Sequence, residues 1–132
     1  MPLYRALVRP QLLDLEQRQA FATDVVDVHC GVTGAPPSFV HVVYADDDDG
    51  HLADGQNAAV FGTIRHGRNA EQKNEITSRL SAALAGHAGV AADTVTTTLA
   101  DIDASYTMEG GVLLPDPGTP EEAEWKAMGA PS

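Results

Sequence analysis

A proline stands at position 2, where it has distinctive chemistry once Met1 is removed. Inside a chain proline has no N–H, whereas at a free N-terminus its nitrogen is a secondary amine that takes up or releases a proton. An α-amino group has a reference pKa of about 8, and an apolar pocket or neighbouring arginines lower that pKa and favour the neutral base. Taken alone, Pro2 is also typical of the start of a strand. It predicts general acid–base chemistry only if suitable partners lie beside it.

Arg65 and Arg68 are the candidate partners, because they bracket His66-Gly67 between a predicted strand and a predicted helix. A turn there would aim both guanidiniums at one carboxylate, although two solvated surface arginines are the alternative. The chain has 8 lysines and arginines against 19 aspartates and glutamates, a formal net charge of −11. An anionic substrate therefore needs a local cluster of cations, and nucleic acid is excluded as a partner by repulsion of its phosphates.

Three further side chains have types that suit a reactive site. His29 lies on the flank of the apolar face of a predicted helix, where a structural histidine is the alternative interpretation. Glu109 precedes two glycines that let the chain turn sharply and hold a carboxylate against a site. Cys30 is the sole cysteine, so no internal disulfide or thiol pair exists, and we expect it to be a buried hydrophobic residue.

Metal and cofactor motifs are missing from the sequence. The acidic run 46–49 followed by Gly50 resembles a calcium loop, but that alignment puts Ala45 first and Gln56 twelfth and removes two essential carboxylates. We interpret this run as a solvated linker. No Walker-type loop, Gly-x-Ser-x-Gly elbow or His-Glu-x-x-His helix is present. We therefore expect neither metal nor organic cofactor.

The elements that must position these residues follow a repeated order. A strand over 3–8 is followed by a helix that starts with a capping acid at Asp14 and a glutamine at Gln17. That helix weakens at Gly31 and Gly34, and a second strand is predicted over 39–44. Its apolar face consists of residues spaced four, three and four apart: Phe21, Val25, Val28 and Val32.

The second half repeats this pattern with a strand over 59–64 and a capped helix start at 69–72. Asp14 and Asn69 lie 55 positions apart, and the same offset aligns 16–18 with 71–73 and 44–46 with 99–101. We interpret the chain as two tandem β-α-β units, each with parallel strands and a right-handed crossover. The expected fold is α/β (α+β), a four-stranded mixed sheet with two helices on one face.

The opposite face of such a sheet is left uncovered, which predicts oligomerisation. Residues 112–114 are predicted to form a short strand that pairs with a neighbour, and 121–128 a last helix that Trp125 packs down, before a frayed tail. We expect one domain over 1–118, with repeats at 2–46 and 59–101, a linker at 47–58, a closing segment at 102–118 and a tail at 119–132. No membrane span or signal peptide is visible, so a cytoplasmic protein that does not contact membranes is expected.

The residues quoted above resemble the tautomerase superfamily and, within it, the cis-3-chloroacrylic acid dehalogenase-like family. Besides Pro2, three stretches carry the resemblance, and together they extend it from Pro2 to about Gly118: 27–34, 65–70 and 109–118. It implies a tautomerase fold and a homotrimer.

The resemblance also implies roles for residues. Pro2 would be the catalytic amine, Arg65 and Arg68 would bind a substrate carboxylate, His29 would assist that binding, and Glu109 would position or activate water. One position departs from the family pattern. The dehalogenases have a tyrosine where counting back from Glu109 gives Thr98, and Tyr106 lies nearby in sequence without showing that it substitutes.

Loss of that phenol favours tautomerisation, which needs no activated water. The leading hypothesis is a tautomerase for small carboxylate-bearing 2-oxo acids such as phenylpyruvate, with low hydratase or dehalogenase activity. The enzymatic alternative is a cis-3-haloacrylate dehalogenase or acetylenic-acid hydratase with Pro2 as the acid. A non-catalytic ligand-binding protein on the same scaffold is the alternative from another class.

Overall fold

The computed structural model describes residues 2–128 and contains three helices and six strands. Their bounds are β1 Leu3–Val8, α1 Leu15–Thr33, β2 His41–Asp46, β3 Ala58–Arg65, α2 Ala70–Ala88, β4 Val95–Ile102, β5 Met108–Glu109, β6 Val112–Leu113 and α3 Pro120–Met128. In this described part, no helix is long and apolar enough to cross a bilayer.

The first four strands form one mixed sheet in the order β2-β1-β3-β4. β1 is parallel to β2 and β3 is parallel to β4, while β1 and β3 run antiparallel at the centre. Each parallel pair is joined through a helix, as expected of a β-α-β unit. The predicted α+β fold with two tandem units is confirmed.

The two long helices begin in the same way. Asp14 caps α1 by accepting the N–H of Gln17, whose side chain in turn accepts the N–H of Asp14. Asn69 and Gln72 repeat this reciprocal arrangement at the start of α2. Both predicted helix starts are therefore confirmed.

Two predicted strands need correction. The second strand begins at His41 rather than at position 39, because Pro37 starts a 3-10 turn that ends at Phe39. The short strand, predicted over 112–114, covers Val112–Leu113 and pairs with Met108–Glu109 of the same chain, because two glycines fold the segment into a hairpin.

The core lies between the sheet and the two long helices. Alternate residues of β1 face it, which is the two-residue period of a strand half-buried by helices. Its largest fully buried side chains are Tyr4, Phe21, Val25, His29, Val60, Ile64, Ile76, Leu80 and Leu84. The predicted apolar face of α1 is confirmed for Phe21, Val25 and Val28.

A second, smaller core holds the closing segment. It contains Phe39, Ala104, Leu114 and Trp125. The rings of Phe39 and Trp125 lie 4.6 Å apart, so Trp125 packs α3 onto the domain as predicted. The frayed tail predicted after α3 lies outside the described residues.

The other face of the sheet is open in this chain. Phe61 and Val43 are 52% and 47% exposed on it, and together with Arg5 they line a cavity of about 380 Å³. The uncovered apolar surface is the one that the fold class predicted.

Candidate active site

Pro2 lies at the start of the central strand, where β1 meets the end of β3. Leu3 pairs with Thr63 in the antiparallel register, so Pro2 lies beside the last residues of β3, which ends at Arg65. Pro2 is buried, and its carbonyl accepts the N–H of His41 at 3.0 Å. The strand pairing thereby brings the predicted amine and the arginine turn to the same edge of the core.

Tyr4 and His29 form a buried pair next to this position. The Tyr4 hydroxyl and His29 Nδ1 are 2.7 Å apart, and neither side chain reaches solvent to more than 2%. Burial, followed by the charge of Arg68, lowers the pKa of His29 to about 4, and burial raises the pKa of the Tyr4 phenol. Both groups are therefore uncharged at neutral pH.

Gly62 makes room for the Tyr4 ring. A Cβ at Gly62 would come within 2.5 Å of Tyr4 Cε1 and 2.7 Å of Leu99 Cδ2. The ring thus occupies a notch in β3 that only glycine provides. Sequence analysis did not identify Tyr4 as a site residue. The feature of the sequence that could have identified Tyr4 is its position two residues after Pro2, which places both residues on the same face of a strand.

Arg68 brings a positive charge to the cluster, and Glu122 acts on it electrostatically. Its side chain is half-buried, and its Nε has no hydrogen-bond partner. Burial, and then the nearby charge of Arg65, lower the pKa of the Arg68 guanidinium, which still stays protonated. A half-buried guanidinium is a group to which an anion can bind by charge-assisted hydrogen bonds.

Arg65 is engaged in a different way from Arg68. It is 4% exposed and donates to the carbonyl of Pro115 at 2.9 Å and to a carboxylate oxygen of Glu122 at 2.5 Å. Its guanidinium also lies 4.6 Å from the centre of the Trp125 ring, within the range of a cation–π contact. Arg65 therefore ties the end of β3 to the C-terminal helix α3.

The turn between the two arginines packs on the closing segment. Gly67 has a φ of 117°, and a Cβ there would come within 2.7 Å of Pro117 Cγ. Glycine is required at this position for both reasons. The turn that separates Arg65 from Arg68 is consequently held against residues 115–117.

Glu109 lies at the tip of the β5–β6 hairpin, where Gly110 and Gly111 adopt φ values of 58° and 79°. Its side chain is half-buried and lines a cavity of about 360 Å³ that also includes Phe39, Leu113 and Trp125. That cavity is the space between the hairpin and α3. Pro2, His29 and Arg68 do not line it among the described residues.

Thr98 and Tyr106 are not brought into the cluster. Thr98 pairs with Phe61 and is exposed on the open face of the sheet, whereas Tyr4 faces the helices. Tyr106 is 82% exposed in a 3-10 turn. Cys30, expected to be buried, is only half-buried, because it lies on the edge of the apolar face of α1.

Sequence analysis also missed Glu122. This residue is separated from Arg65 by 57 positions, and the pairing arises only when α3 folds back onto the end of β3. Within residues 2–128, no group of three or more His, Cys, Asp or Glu side chains is arranged to hold a metal ion.

A family model and solved structures both relate this chain to tautomerases. Residues 1–129 match the family model described as "Putative oxalocrotonate tautomerase enzyme". No curated protein matches the chain.

Solved structures resemble this chain over 81% to 98% of its length. N1, a member of the cis-3-chloroacrylic acid dehalogenase family, is 29% identical with a TM-score of 0.83, covering 98% of this chain and 92% of N1. Native Ps01740 is 31% identical with a TM-score of 0.74, covering 81% of this chain and 99% of that one. A symmetric trimer of wild-type fused 4-OT is 19% identical with a TM-score of 0.75 over 85% of this chain and 94% of that one, and shows the shared fold. The chain therefore belongs to the tautomerase superfamily and is related to its cis-3-chloroacrylic acid dehalogenase family.

Proposed function

We propose that this chain is a cofactor-independent tautomerase that interconverts the keto and enol forms of small 2-oxo acids such as phenylpyruvate. The observation that carries the proposal is that buried Pro2 lies beside the end of β3, at the edge of the core where the charge of Arg68 acts on His29. Once Met1 is removed, the Pro2 nitrogen becomes a proton carrier in a site that attracts a carboxylate. Membership of the tautomerase superfamily supports this assignment.

In the proposed reaction the neutral amine of Pro2 removes the proton from the enol hydroxyl. The carbonyl forms as the electrons of the C=C bond take a proton at the adjacent carbon, and the prolinium supplies that proton. Each proton that leaves oxygen is thus matched by one delivered to carbon, and Pro2 ends in its starting state. The guanidiniums stabilise the negative charge that develops on the oxygen.

Arg68 is the principal carboxylate ligand in this proposal. Arg65 adds positive charge to the site, but its two terminal nitrogens already donate to Pro115 and Glu122. His29, uncharged at neutral pH, assists as a hydrogen-bond donor and adds no charge. The three residues keep the binding roles that the resemblance implies, with Arg68 as the principal contact.

The test combines intact mass with turnover of the phenylpyruvate enol on one preparation. We expect the mature protein to lack Met1 and the Pro2→Ala variant, processed in the same way, to lose activity. Full activity in Pro2→Ala would refute the amine mechanism. Retained Met1 in an inactive protein would instead support a ligand-binding protein on the same scaffold.

Hydration or dehalogenation of an unsaturated acid is a second activity that the family resemblance supports. It would need Glu109 and Pro2 to act on one substrate, although Pro2 does not line the cavity of Glu109 among the described residues. The half-buried carboxylate of Glu109 lines a cavity large enough for water and a small acid. With Pro2 protonated, Glu109 would activate water for attack at C3 of an unsaturated acid while Pro2 protonates C2. The product is a hydrated acid, or a dehalogenated one where halide leaves. Because position 98 is a threonine and has no phenol, we propose only low activity.

Glu109→Gln separates the two activities. We expect hydration of a haloacrylate or acetylenic acid to be abolished, because the amide cannot accept a proton from water. Tautomerisation should be largely spared. Equal losses of both activities in Glu109→Gln would contradict the division of roles.

We also propose that the chain assembles as a homotrimer through the open face of its sheet. Phe61 and Val43 leave apolar surface exposed there, and Met108 and Val112 of the hairpin are 62% and 63% exposed. Sedimentation of the wild type should give three times the chain mass, and Phe61→Glu should dissociate it. A monomeric wild type would exclude this assembly.

A further inference from the structure

We propose that Tyr4 is a positioning residue that fixes the imidazole of His29 in the tautomer with its proton on Nε2. The contact that carries this inference is the 2.7 Å hydrogen bond between the Tyr4 hydroxyl and His29 Nδ1. Both side chains are buried, and their rings meet edge to face at 5.7 Å. The Tyr4 ring packs into the notch at Gly62, and this packing fixes the position of its hydroxyl.

The direction of the hydrogen bond follows from where each proton can go. Among residues 2–128, the Tyr4 hydroxyl forms its hydrogen bond with His29 Nδ1. If Nδ1 carried the imidazole proton, the hydroxyl would accept it and its own proton would be buried without an acceptor. If the hydroxyl donates, that proton is satisfied and Nδ1 must be unprotonated.

The charge of Arg68 favours the same direction. Its guanidinium is close enough to act electrostatically on both Tyr4 and His29. A nearby cation stabilises the hydroxyl when its oxygen is turned toward the cation and its proton away from it. A hydroxyl that donates its proton to Nδ1 keeps its oxygen lone pairs free to interact with that positive charge.

Protonation states complete the assignment. Burial lowers the pKa of His29 to about 4, so the ring carries one proton at pH 7. Burial raises the pKa of Tyr4, so the phenol keeps its own proton. With Nδ1 occupied as an acceptor, the single imidazole proton is on Nε2.

This tautomer matters for binding of an anion, a step that rests on the proposed function. Nε2–H is a neutral donor in the field of Arg68, and it can bind a carboxylate oxygen. The other tautomer would present a lone pair at Nε2 to the same oxygen and repel it. Tyr4 therefore acts through His29 and does not need to touch the substrate.

The tautomer is measured directly by long-range 1H–15N correlation spectra of 15N-histidine-labelled protein at pH 7. The chain has 5 histidines, and the signals of His29 are identified by their loss in His29→Asn. We expect unprotonated Nδ1 and protonated Nε2 in the wild type, and a mixture or the reverse in Tyr4→Phe. A protonated Nδ1 in the wild type, or an unchanged tautomer in Tyr4→Phe, overturns the proposal. This readout does not depend on enzymatic activity.

Kinetics then test the consequence of the tautomer. Tyr4→Phe keeps the ring in the Gly62 notch and should raise KM for a 2-oxo acid about tenfold, with a smaller change in kcat. The matched control is Tyr44→Phe, because the Tyr44 hydroxyl donates to the carbonyl of Arg18 at 2.6 Å in a purely structural contact. Tyr44→Phe should leave KM unchanged. If Tyr4→Phe changes the His29 tautomer but leaves KM unchanged, the substrate-binding role of His29 in the proposed function would be wrong. The tautomer assignment itself would still hold.

Discussion

The Glu122 carboxylate of α3 binds the guanidinium of Arg65 at the end of β3, in a contact that leaves the Arg65 side chain 3% exposed. Burial acts to raise the pKa of Glu122, but the hydrogen bonds from Arg65 and the Gly118 N–H outweigh it and lower that pKa. The C-terminal helix is thus held to the domain by an ion pair as well as by Trp125.

Removing this ion pair should loosen α3 before the rest of the fold. Glu122→Gln leaves a buried guanidinium with a weaker partner, which should cost about 1 to 3 kcal/mol. Trp125 is the sole tryptophan and is 9% exposed, so its emission reports the docking of α3. We expect a shift to longer wavelength in Glu122→Gln and none in Glu121→Gln, whose side chain is exposed on the same helix. Identical spectra for both variants would argue against the role of the ion pair.

We expect Arg68 to contribute to substrate binding and to lower the stability of the fold. Arg68→Ala should lower kcat/KM for a carboxylate substrate about 10- to 100-fold, because a charged hydrogen bond to the substrate is lost. The same change should raise Tm, since it removes a half-buried cation whose Nε has no partner. Arg79→Ala is the control, because Arg79 is half-exposed and pairs with Glu75 on α2. A fall in Tm with unchanged kinetics would show that Arg68 is structural.

Acid should destabilise the fold through His29. Its pKa is about 4 in the folded chain and about 6.5 when unfolded, so the unfolded state binds the proton first. Stability from the neutral His29 is complete above pH 6.5 and is lost as the pH falls toward 4, by an amount on the order of 3 kcal/mol. His29→Asn keeps an acceptor near the Tyr4 hydroxyl and cannot titrate. Urea unfolding at pH 7 and pH 4.5 should show a smaller loss for this variant than for the wild type, and equal losses would contradict the assignment.

The notch at Gly62 should not tolerate a methyl group. Gly62→Ala places a Cβ within 2.5 Å of Tyr4 Cε1, which forces the ring to move and should cost about 1 to 3 kcal/mol. The variant should also disturb the Tyr4–His29 hydrogen bond. Gly86→Ala is the control, because a Cβ there meets nothing within 4 Å and alanine favours the helix. Calorimetry should show a lower Tm only for Gly62→Ala, and a wild-type Tm in that variant would mean that the sheet can adjust.

Local sequence signals predicted the parts of the fold that depend on local chemistry. The strand Leu3–Val8 and both capping boxes were predicted at the residues where they occur, because strand alternation and cap hydrogen bonds involve residues close in sequence. The second strand was predicted to start two residues too early, because Pro36 and Pro37 favour a 3-10 turn that includes Phe39. A β-rich composition does not distinguish such a turn from the strand that follows it.

The candidate site was predicted only in part for a related reason. Pro2, Arg65 and Arg68 were visible as residue types at suggestive positions. Tyr4 was not predicted as a site residue because it fits the alternation of buried residues in its strand. A buried tyrosine is interpreted as a core residue until the hydrogen-bond partner of its hydroxyl is known. The partner of Arg65 comes from a helix distant in sequence, and such a pairing depends on tertiary packing alone.

The 55-residue repeat makes the molecule a nearly symmetric body with an asymmetric interior. Positions equivalent to Tyr4 and His29 in the second unit are Ala59 and Leu84, and Leu84 is fully buried. The helix position that holds the buried His29 in the first unit is therefore occupied by a buried leucine in the second unit, whereas Ala59 is only half-buried and does not take the place of Tyr4 in the core. Leu84 can therefore serve as an internal control for His29. A substitution of Leu84 measures what this helix position contributes to packing, and the same substitution of His29 measures packing together with hydrogen bonding and reactivity. The difference between the two changes isolates what the His29 imidazole contributes beyond packing.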